Sequence, residues 1–408
     1  MGALCDTQAH PRKARACLLL LGFALLLFPF FASQFGNSWV RIMDMALLYI
    51  MLALGLNIVV GFAGLLDLGY IAFYALGAYL TALLASPQFS VVLESLLNTY
   101  PLIGNALLWI GGPGVAQNGI HLSVWFIVPL AAALAALFGA LFGATILKLR
   151  GDYLAVVTLG FCEIVRIFII NLNAPVNLTD GPKGINMIDP IRVFGVSLAG
   201  APGSRATLAI AGFAMPSVNA YYFLFLFLFL CVAIIIVSLR LQNSRLGRAF
   251  VAIREDETAA KAMGIDTGRV KLCAFALGAS FGGVAGAMFA AFQGYISSES
   301  FSLNESIAVL SMVVLGGMGH IPGVVLGAVI LAALPELLRH VVLPIQLQLF
   351  GQVLIDAEVL RQLLLGLAMV MVMLTRPAGL WPSPRHEDRL NEDAANDIPA
   401  SSRRWAAS

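Results

Sequence analysis

The chain has 408 residues, of which 60% are hydrophobic and only 11% are charged, and its mean hydropathy is +0.90. Soluble globular proteins carry about 25% charged residues, so this composition excludes a water-soluble protein and indicates one membrane domain of many helices. The formal net charge of +2 is too small to indicate nucleic-acid binding. The five cysteines are scattered without a C-x-x-C pair, which disfavours a disulfide framework or a metal site.

Ten apolar segments are candidates for membrane spans, since a spanning helix needs about 20 mostly apolar residues. They lie at roughly 17–34, 42–60, 62–85, 121–147, 153–172, 220–239, 270–292, 305–319, 322–343 and 359–375. The sequence therefore predicts an all-α polytopic membrane protein. A further apolar stretch, 91–112, is interrupted by Pro101 and several glycines, and we interpret it as interfacial or re-entrant. Three basic residues precede the first segment, so a cleaved signal peptide is the alternative to an uncleaved first helix.

The basic residues predict the orientation of these spans, because Lys and Arg accumulate in cytoplasmic loops. With the N-terminus inside, 17 of the 24 Lys and Arg residues lie on the cytoplasmic side, and both termini are cytoplasmic. Residues 1–16 then form the cytoplasmic N-terminus, 17–376 the transmembrane domain with a long cytoplasmic loop at 240–269, and 377–408 a solvated disordered tail. Ten spans divide into two halves of opposite orientation, which permits a 5+5 inverted repeat.

Glycines at four-residue spacing indicate close helix packing, because helices in lipid associate through backbone approach rather than through hydrophobic burial. Gly278, Gly282 and Gly286 form such a ridge along the seventh span. The functional interpretation is a tightly packed core that can move. Ordinary helix packing explains the same pattern.

Few ionisable residues fall inside the spans, and such residues often mark a pathway or an ion pair. The glycine-flanked run 61–69 contains Asp67, and its composition indicates a broken or re-entrant backbone. Glu163 and Arg166 are spaced to pair on one helix face. Glu305 lies near the end of a predicted span, where interfacial placement explains it. The candidates for the translocation path, chosen as polar groups in apolar surroundings, are Asn57, Asp67, Tyr70 and Glu163.

Signatures of catalysis are absent from the sequence. No H-E-x-x-H, G-x-S-x-G or phosphate-binding P-loop occurs, and the five histidines do not cluster with carboxylates or cysteines. We therefore expect a transport subunit that is not an enzyme and that binds neither a cofactor nor a metal.

The most informative stretch, 244–265, lies in the loop between the sixth and seventh spans. A short helix is predicted from about Asp256 to Met263, since carboxylates stand at its start and alanines follow. Gly264 suits the left-handed position after this helix. A helix this short is marginal in isolation, so docking on a partner protein is a natural reason for it. The residues assigned to this contact are Arg254, Glu255, Asp256, Glu257, Thr258, Ala259, Ala260 and Gly264.

This stretch resembles the coupling loop in the permease subunits of ATP-binding-cassette importers, where Glu-Ala-Ala is followed by three residues and Gly. Thr258 stands here in the place of the glutamate, and Glu257 precedes it. Over roughly residues 45–380 the chain resembles more closely the LivM-type permeases of branched-chain amino-acid importers. The motifs that carry this resemblance include RLGRA at 245–249, AIREDE at 252–257, TDGPKGI at 179–185, MVVLGGMG at 312–319 and RPAGL at 376–380.

The resemblance implies an assembly in the bacterial inner membrane. This subunit would pair with a LivH-type sister permease, two cytoplasmic ATPases that bind the ATP, and a periplasmic binding protein for leucine, isoleucine and valine. Membrane lipid would surround it, and no nucleic acid is involved. Related permeases import urea or short-chain amides, which leaves the cargo open. A secondary transporter driven by an ion gradient is the alternative from another class.

Overall fold

The computed structural model describes residues 37–101, 119–147, 152–189, 191–193, 196–197, 218–350, 357–376 and 379–381. The predicted first span at 17–34, the N-terminus 1–16 and nearly all of the tail 377–408 lie outside these residues. Apart from turns and loops, the secondary structure of these residues is helical except for one antiparallel pair of two-residue strands, β1 (Arg192–Val193) and β2 (Val196–Ser197). The predicted all-α class is therefore confirmed for the described residues.

The α-helices are numbered in chain order. They are α1 (Asn37–Leu56), α2 (Ile71–Leu84), α3 (Gln88–Thr99), α4 (Val124–Ile146), α5 (Asp152–Asn171), α6 (Val218–Gln242), α7 (Arg245–Glu255), α8 (Glu257–Ala262), α9 (Thr267–Gln293), α10 (Leu303–Gly316), α11 (Ile321–Phe350) and α12 (Ala357–Thr375). A π-helical segment, Asn57–Phe62, extends α1, and short 3-10 turns occur at Gly181–Lys183 and Ser298–Phe301.

Four of the described helices are long and apolar enough to cross a membrane by themselves: α1 with its π-helical extension, α4, α5 and α9. Two bent pairs, α2 with α3 and the end of α6 with α7, raise the number to six if each pair is one span. Shorter apolar helices lie at Leu303–Gly316, Ile321–Pro335 and Gln362–Val372. The described residues thus form a polytopic membrane domain, and the count of ten spans stays a prediction.

The predicted span at 62–85 is wrong as a continuous helix. The preceding helix ends at Phe62, and α2 begins only at Ile71. Residues 63–70, which we name the break, are not helical. Gly64 adopts a φ of +69° there, which a residue with a side chain rarely tolerates. The broken backbone predicted from the glycines of this run is present.

The apolar stretch at 91–112 begins within α3, which bends by 82° from α2. Such a bend fits the predicted interfacial or re-entrant course for the part up to Thr99. Residues 102–112 lie outside the described part of the chain.

Helix α9 lies at the centre of the packing, in contact with α1, α2 and α4. A Cβ built at Gly286 would lie 2.1 Å from the Tyr74 carbonyl oxygen of α2, and one at Gly278 would lie 2.5 Å from Val59 Cγ2. At Gly282 the nearest atoms would be 3.4 Å away, which is ordinary van der Waals contact. We therefore propose that Gly286 and Gly278 set the approach of α9 to its neighbours and that Gly282 does not.

Gly286→Ala tests this packing against Gly282→Ala on the same helix. Both changes add one methyl group and raise the helix propensity by the same amount, so the difference between the two variants reports packing alone. We expect only Gly286→Ala to destabilise the purified transporter, because overpacking costs about 1–3 kcal/mol. The measurement is the thermal midpoint in detergent. Equal midpoints for the two variants would contradict the assignment.

Candidate functional site: a loop helix pair and the break

The helices α7 and α8, which we name the loop helix pair, lie between the spans α6 and α9. α7 begins at the N-cap Ser244, whose hydroxyl accepts a hydrogen bond from Gly247 N at 3.1 Å. Its inner face is buried through Phe250 and Ile253. α7 bends by 68° from the end of α6, so the pair leaves the direction of that span.

The short helix expected from about Asp256 to Met263 is present as α8. Asp256 is its N-cap, and its carboxylate accepts hydrogen bonds from Thr258 N at 2.7 Å and Ala259 N at 3.1 Å. The helix ends at Met263, and Gly264 follows with a φ of +84°. A left-handed glycine closes the helix, as the sequence indicated.

One face of α8 is exposed. Ala260 is buried against the fold, whereas Thr258 and Ala259 are exposed. Met263, a large apolar residue, is 83% exposed at the end of the helix. A Cβ added at Gly264 would meet nothing within 4 Å. The pair therefore presents outward small residues, Met263 and charged side chains such as Asp256 and Lys261, a mixed surface suited to contact with another protein.

Glu257 holds the loop helix pair to α9. Its carboxylate accepts a hydrogen bond from Lys271 Nζ at 2.7 Å and forms an ion pair with Lys261 at 3.0 Å. The bond from Lys271 lowers the pKa of Glu257 from 4.5 to about 2, with Lys261 adding to the effect. Because the pKa of Glu257 is lowered in the fold, its ionised carboxylate stabilises the fold at pH values above the ordinary pKa of 4.5. This stabilisation is lost as the pH falls from about 4.5 to about 2.

Arg254 connects the loop helix pair to the break. Its Nη1 donates a hydrogen bond of 2.6 Å to the carbonyl oxygen of Gly61, in the π-helical extension of α1. A Cβ at Gly64 would lie 2.8 Å from Arg254 Cγ, and one at Gly319 would lie 2.9 Å from Arg254 Nη1. Glycines on two separate segments thus lie directly against the arginine side chain.

Asn57 joins the same region to the turn between α10 and α11. It is buried, and its Oδ1 accepts a hydrogen bond of 2.8 Å from Gly319 N. The π-helical turn itself is fully buried. Single π turns occur often at functional sites because they shift the register of a helix.

The break is held by polar groups from three helices. The Asp67 carboxylate accepts from Gly69 N at 2.8 Å, and Thr158 Oγ1 of α5 accepts from Leu68 N at 3.0 Å. Ser306 of α10 donates to the Leu68 carbonyl oxygen. Tyr70 donates to the Gly278 carbonyl oxygen of α9 at 3.1 Å.

The four residues proposed for the path are placed differently. Asn57, Asp67 and Tyr70 lie together around the break, are at most 2% exposed and bond to backbone groups. Glu163 lies on α5, where it pairs with Arg166 at 3.5 Å as its spacing predicted, with about a third of each side chain exposed. Their assignment to the path stays a prediction.

Sequence reasoning missed several buried polar residues of the membrane domain. Asp44 falls inside the predicted span 42–60 and is fully buried in α1. Thr158 and Ser306 bond to the break from helices that are distant in sequence. A search for every hydroxyl or carboxylate within an apolar helix would have found all three, although it would not have paired them.

Apolar helices, a helix broken within the bundle and an exposed helix pair bonded to that break define a membrane permease. The chain belongs to the family of branched-chain amino acid transport system permease components, whose model matches residues 38–373. It is similar to the high-affinity branched-chain amino acid transport permease LivM of Salmonella typhimurium, with 38% identity over 94% of this chain and 78% of that protein.

The LivM protein of Escherichia coli is 37% identical over the same shares of both chains. The LivH permease of Salmonella typhimurium is similar over a shorter part, with 36% identity across 23% of this chain and 30% of that protein. No solved structure shows a significant match.

The two lysines that contact Glu257 give a matched pair of variants, Lys271→Gln and Lys261→Gln. The Lys271 side chain is 9% exposed and that of Lys261 is 50% exposed. The bond from Lys271 is the largest cause of the lowered pKa of Glu257 and is shielded from water, whereas an exposed pair such as that with Lys261 contributes about 0–1 kcal/mol. We expect Lys271→Gln alone to accelerate amide hydrogen exchange in α8. The same acceleration in both variants would contradict the larger contribution assigned to Lys271.

Proposed function

We propose that this chain forms, with a LivH-type sister permease, the path by which leucine, isoleucine and valine enter across a bacterial inner membrane. Two separate ATPases bind and hydrolyse the ATP, a periplasmic binding protein delivers the amino acid, and this chain binds no cofactor of its own. The observation that supports this proposal most is the exposed loop helix pair, whose Arg254 donates a hydrogen bond to Gly61 just before the break. The family match and the LivM relatives support the cargo.

The proposed coupling runs from the ATPases to the break. When ATP draws the two ATPases together, they move α8, which projects its exposed Met263 end toward them. Glu257 and Lys271 keep α8 attached to α9, so the movement reaches a span. Arg254 carries the same movement to Gly61, where the helix is already broken. A break changes its geometry at lower cost than an intact helix, because fewer helical hydrogen bonds must be disrupted.

A ten-span topology with both termini in the cytoplasm belongs to this proposal. Two parts of the described chain share one plan that supports a 5+5 inverted repeat. Each has a long helix, a return that is not α-helical and a half-helix of 14 residues. The parts are α1 with α2, joined by 63–70, and α9 with α10, joined by 294–302. Ser306 of the second half-helix bonds to Leu68, which precedes the first.

The cargo is the open part of the proposal, since urea or short-chain amides would use the same machine. A reconstituted complex of both permeases, the ATPases and the binding protein decides between them. We expect ATP-dependent uptake of labelled leucine and none of urea. Urea uptake would instead identify the chain as a subunit of a urea or short-chain amide importer. Uptake by the permeases without ATPases, dependent on an ion gradient, would instead establish a secondary transporter.

Docking of the loop helix pair is tested by Met263→Asp, with Met187→Asp as its control. Both methionines are about 80% exposed, at 83% and 78%, so neither change disturbs a packed core. Met187 lies in the segment between α5 and α6, apart from the loop helix pair. We expect Met263→Asp to reduce co-purification of the ATPases severalfold, because it places a charge in an apolar contact. Equal recovery from both variants would remove α8 from the interface.

A further inference from the structure

A cavity of about 140 Å³ lies among α1, α2, α9 and the start of α10, apart from the contacts of Arg254. Its apolar wall consists of Leu48, Leu52, Ile71 and Phe289. A dry cavity of about 150 Å³ lined by such residues holds a molecule the size of benzene. The wall therefore has room for one branched aliphatic side chain and not for a sugar or a peptide.

The remaining part of the cavity is polar. Tyr49 of α1 donates a hydrogen bond of 3.1 Å to Glu305 Oε2 of α10, and both side chains line the space. Both residues are partly exposed, so this part reaches the surface of the chain. A carboxylate in a membrane helix faces a partner or a water-filled path rather than lipid. Glu305 is therefore placed where a solute can reach it.

The position of this carboxylate along the bundle is given by α1. At one end Arg41 donates to Gln293 at 2.8 Å, and at the other Gly61 contacts Arg254. Tyr49 lies eight residues from the first contact and twelve from the second, which at 1.5 Å per residue is about 12 and about 18 Å. Glu305 thus lies between the ends, where solutes bind in transporters with broken helices. Glu305 stands in the first turn of α10, near a helix end as the sequence predicted, and its depth in the membrane stays a prediction.

The half-helix α2 contributes a second electrostatic element. Its first residue, Ile71, lines the cavity, so the N-terminal turn of α2 borders the space. The N–H groups of Ala72 and Phe73 in this turn donate to the Gly69 and Tyr70 carbonyl oxygens, so the electrostatic element here is the positive end of the helix dipole. A carboxylate is favoured there, while an ammonium group is favoured at Glu305.

We propose that this cavity is a transit site for an aliphatic α-amino acid. The ammonium group binds Glu305, the branched side chain lies against Leu48, Leu52 and Phe289, and the carboxylate faces the first turn of α2. Tyr49 is a positioning residue, because its hydrogen bond orients the Glu305 carboxylate. The site rests on the proposed function, since it assigns a place within this chain to the same cargo.

The chemistry of the site is tested first on the unaltered complex. Purified permeases with their ATPases, without binding protein or nucleotide, are titrated with labelled leucine and two competitors. 3-Methylbutylamine keeps the ammonium group and branched chain, whereas 4-methylpentanoate keeps the carboxylate and branched chain. We expect the amine to compete more strongly. Stronger competition by the acid, or no saturable leucine binding at all, would overturn the proposal.

The residue is tested by Glu305→Gln, with Glu94→Gln on the exposed surface of α3 as its control. Loss of a charge-assisted hydrogen bond should weaken leucine binding about tenfold or more and abolish competition by the amine. Tyr49→Phe should weaken binding less and keep the preference for the amine. ATP hydrolysis and co-purification of the subunits report whether each variant assembles. Unchanged binding and amine competition in Glu305→Gln would exclude the site.

The two proposals fail in different ways. If the wild-type complex with its binding protein and ATP takes up no leucine, the proposed function is wrong. If it takes up leucine and Glu305→Gln transports and binds like wild type, only the transit site is wrong. If Glu305→Gln does not assemble, the competition between amine and acid on the unaltered complex decides.

Discussion

The absence of water in a bilayer requires every backbone N–H and C=O group to find a partner within the protein. A helix meets this condition by itself, but residues 63–70 are not helical. Partners therefore come from elsewhere: Thr158 for the Leu68 N–H group and Ser306 for the Leu68 carbonyl, while Arg254 bonds to the Gly61 carbonyl two residues before the break. Because these residues belong to α5, α10 and α7, the break can form only when those helices are in place. The conformation of the break therefore depends on the assembly of the helix bundle.

This requirement explains why an arginine of the loop helix pair reaches into the membrane domain. The last carbonyl groups of a helix lack intrahelical partners, and the negative end of the helix dipole favours a cation there. Gly61 provides such a carbonyl at the end of the π-helical extension of α1, and Arg254 supplies the cation. The contact stabilises the break and also connects it to the surface proposed for ATPase docking. A single hydrogen bond therefore serves both stability and coupling in the proposed mechanism.

Much of the fold could be predicted from the sequence because its signals are local. The lengths of the apolar segments predicted α1, α4, α5 and α9. The acidic residues at its start and the glycine after its end predicted α8. The glycines around Asp67 indicated a break, yet hydropathy alone extended the span through it, since residues 63–70 are as apolar as a helix. The partners of the break could not be predicted, because Thr158 is 90 residues and Ser306 is 238 residues from Leu68. The contact of Glu305 with Tyr49 could not be predicted for the same reason, because it spans 256 residues.

The cavity beside the half-helices α2 and α10 suggests how selectivity is divided between this chain and the binding protein. A transport site must bind its solute strongly enough to admit it and weakly enough to release it. One carboxylate at the surface of the chain and a small apolar wall meet both conditions, since each interaction is modest and partly solvated. In the proposed mechanism, strong selection falls to the binding protein, while the cavity would exclude solutes that lack an ammonium group or exceed its size. Because α2 and α10 both begin beside this cavity, any movement of the break relative to α10 would change its shape. Release of the amino acid would then follow from the same movement that Arg254 transmits.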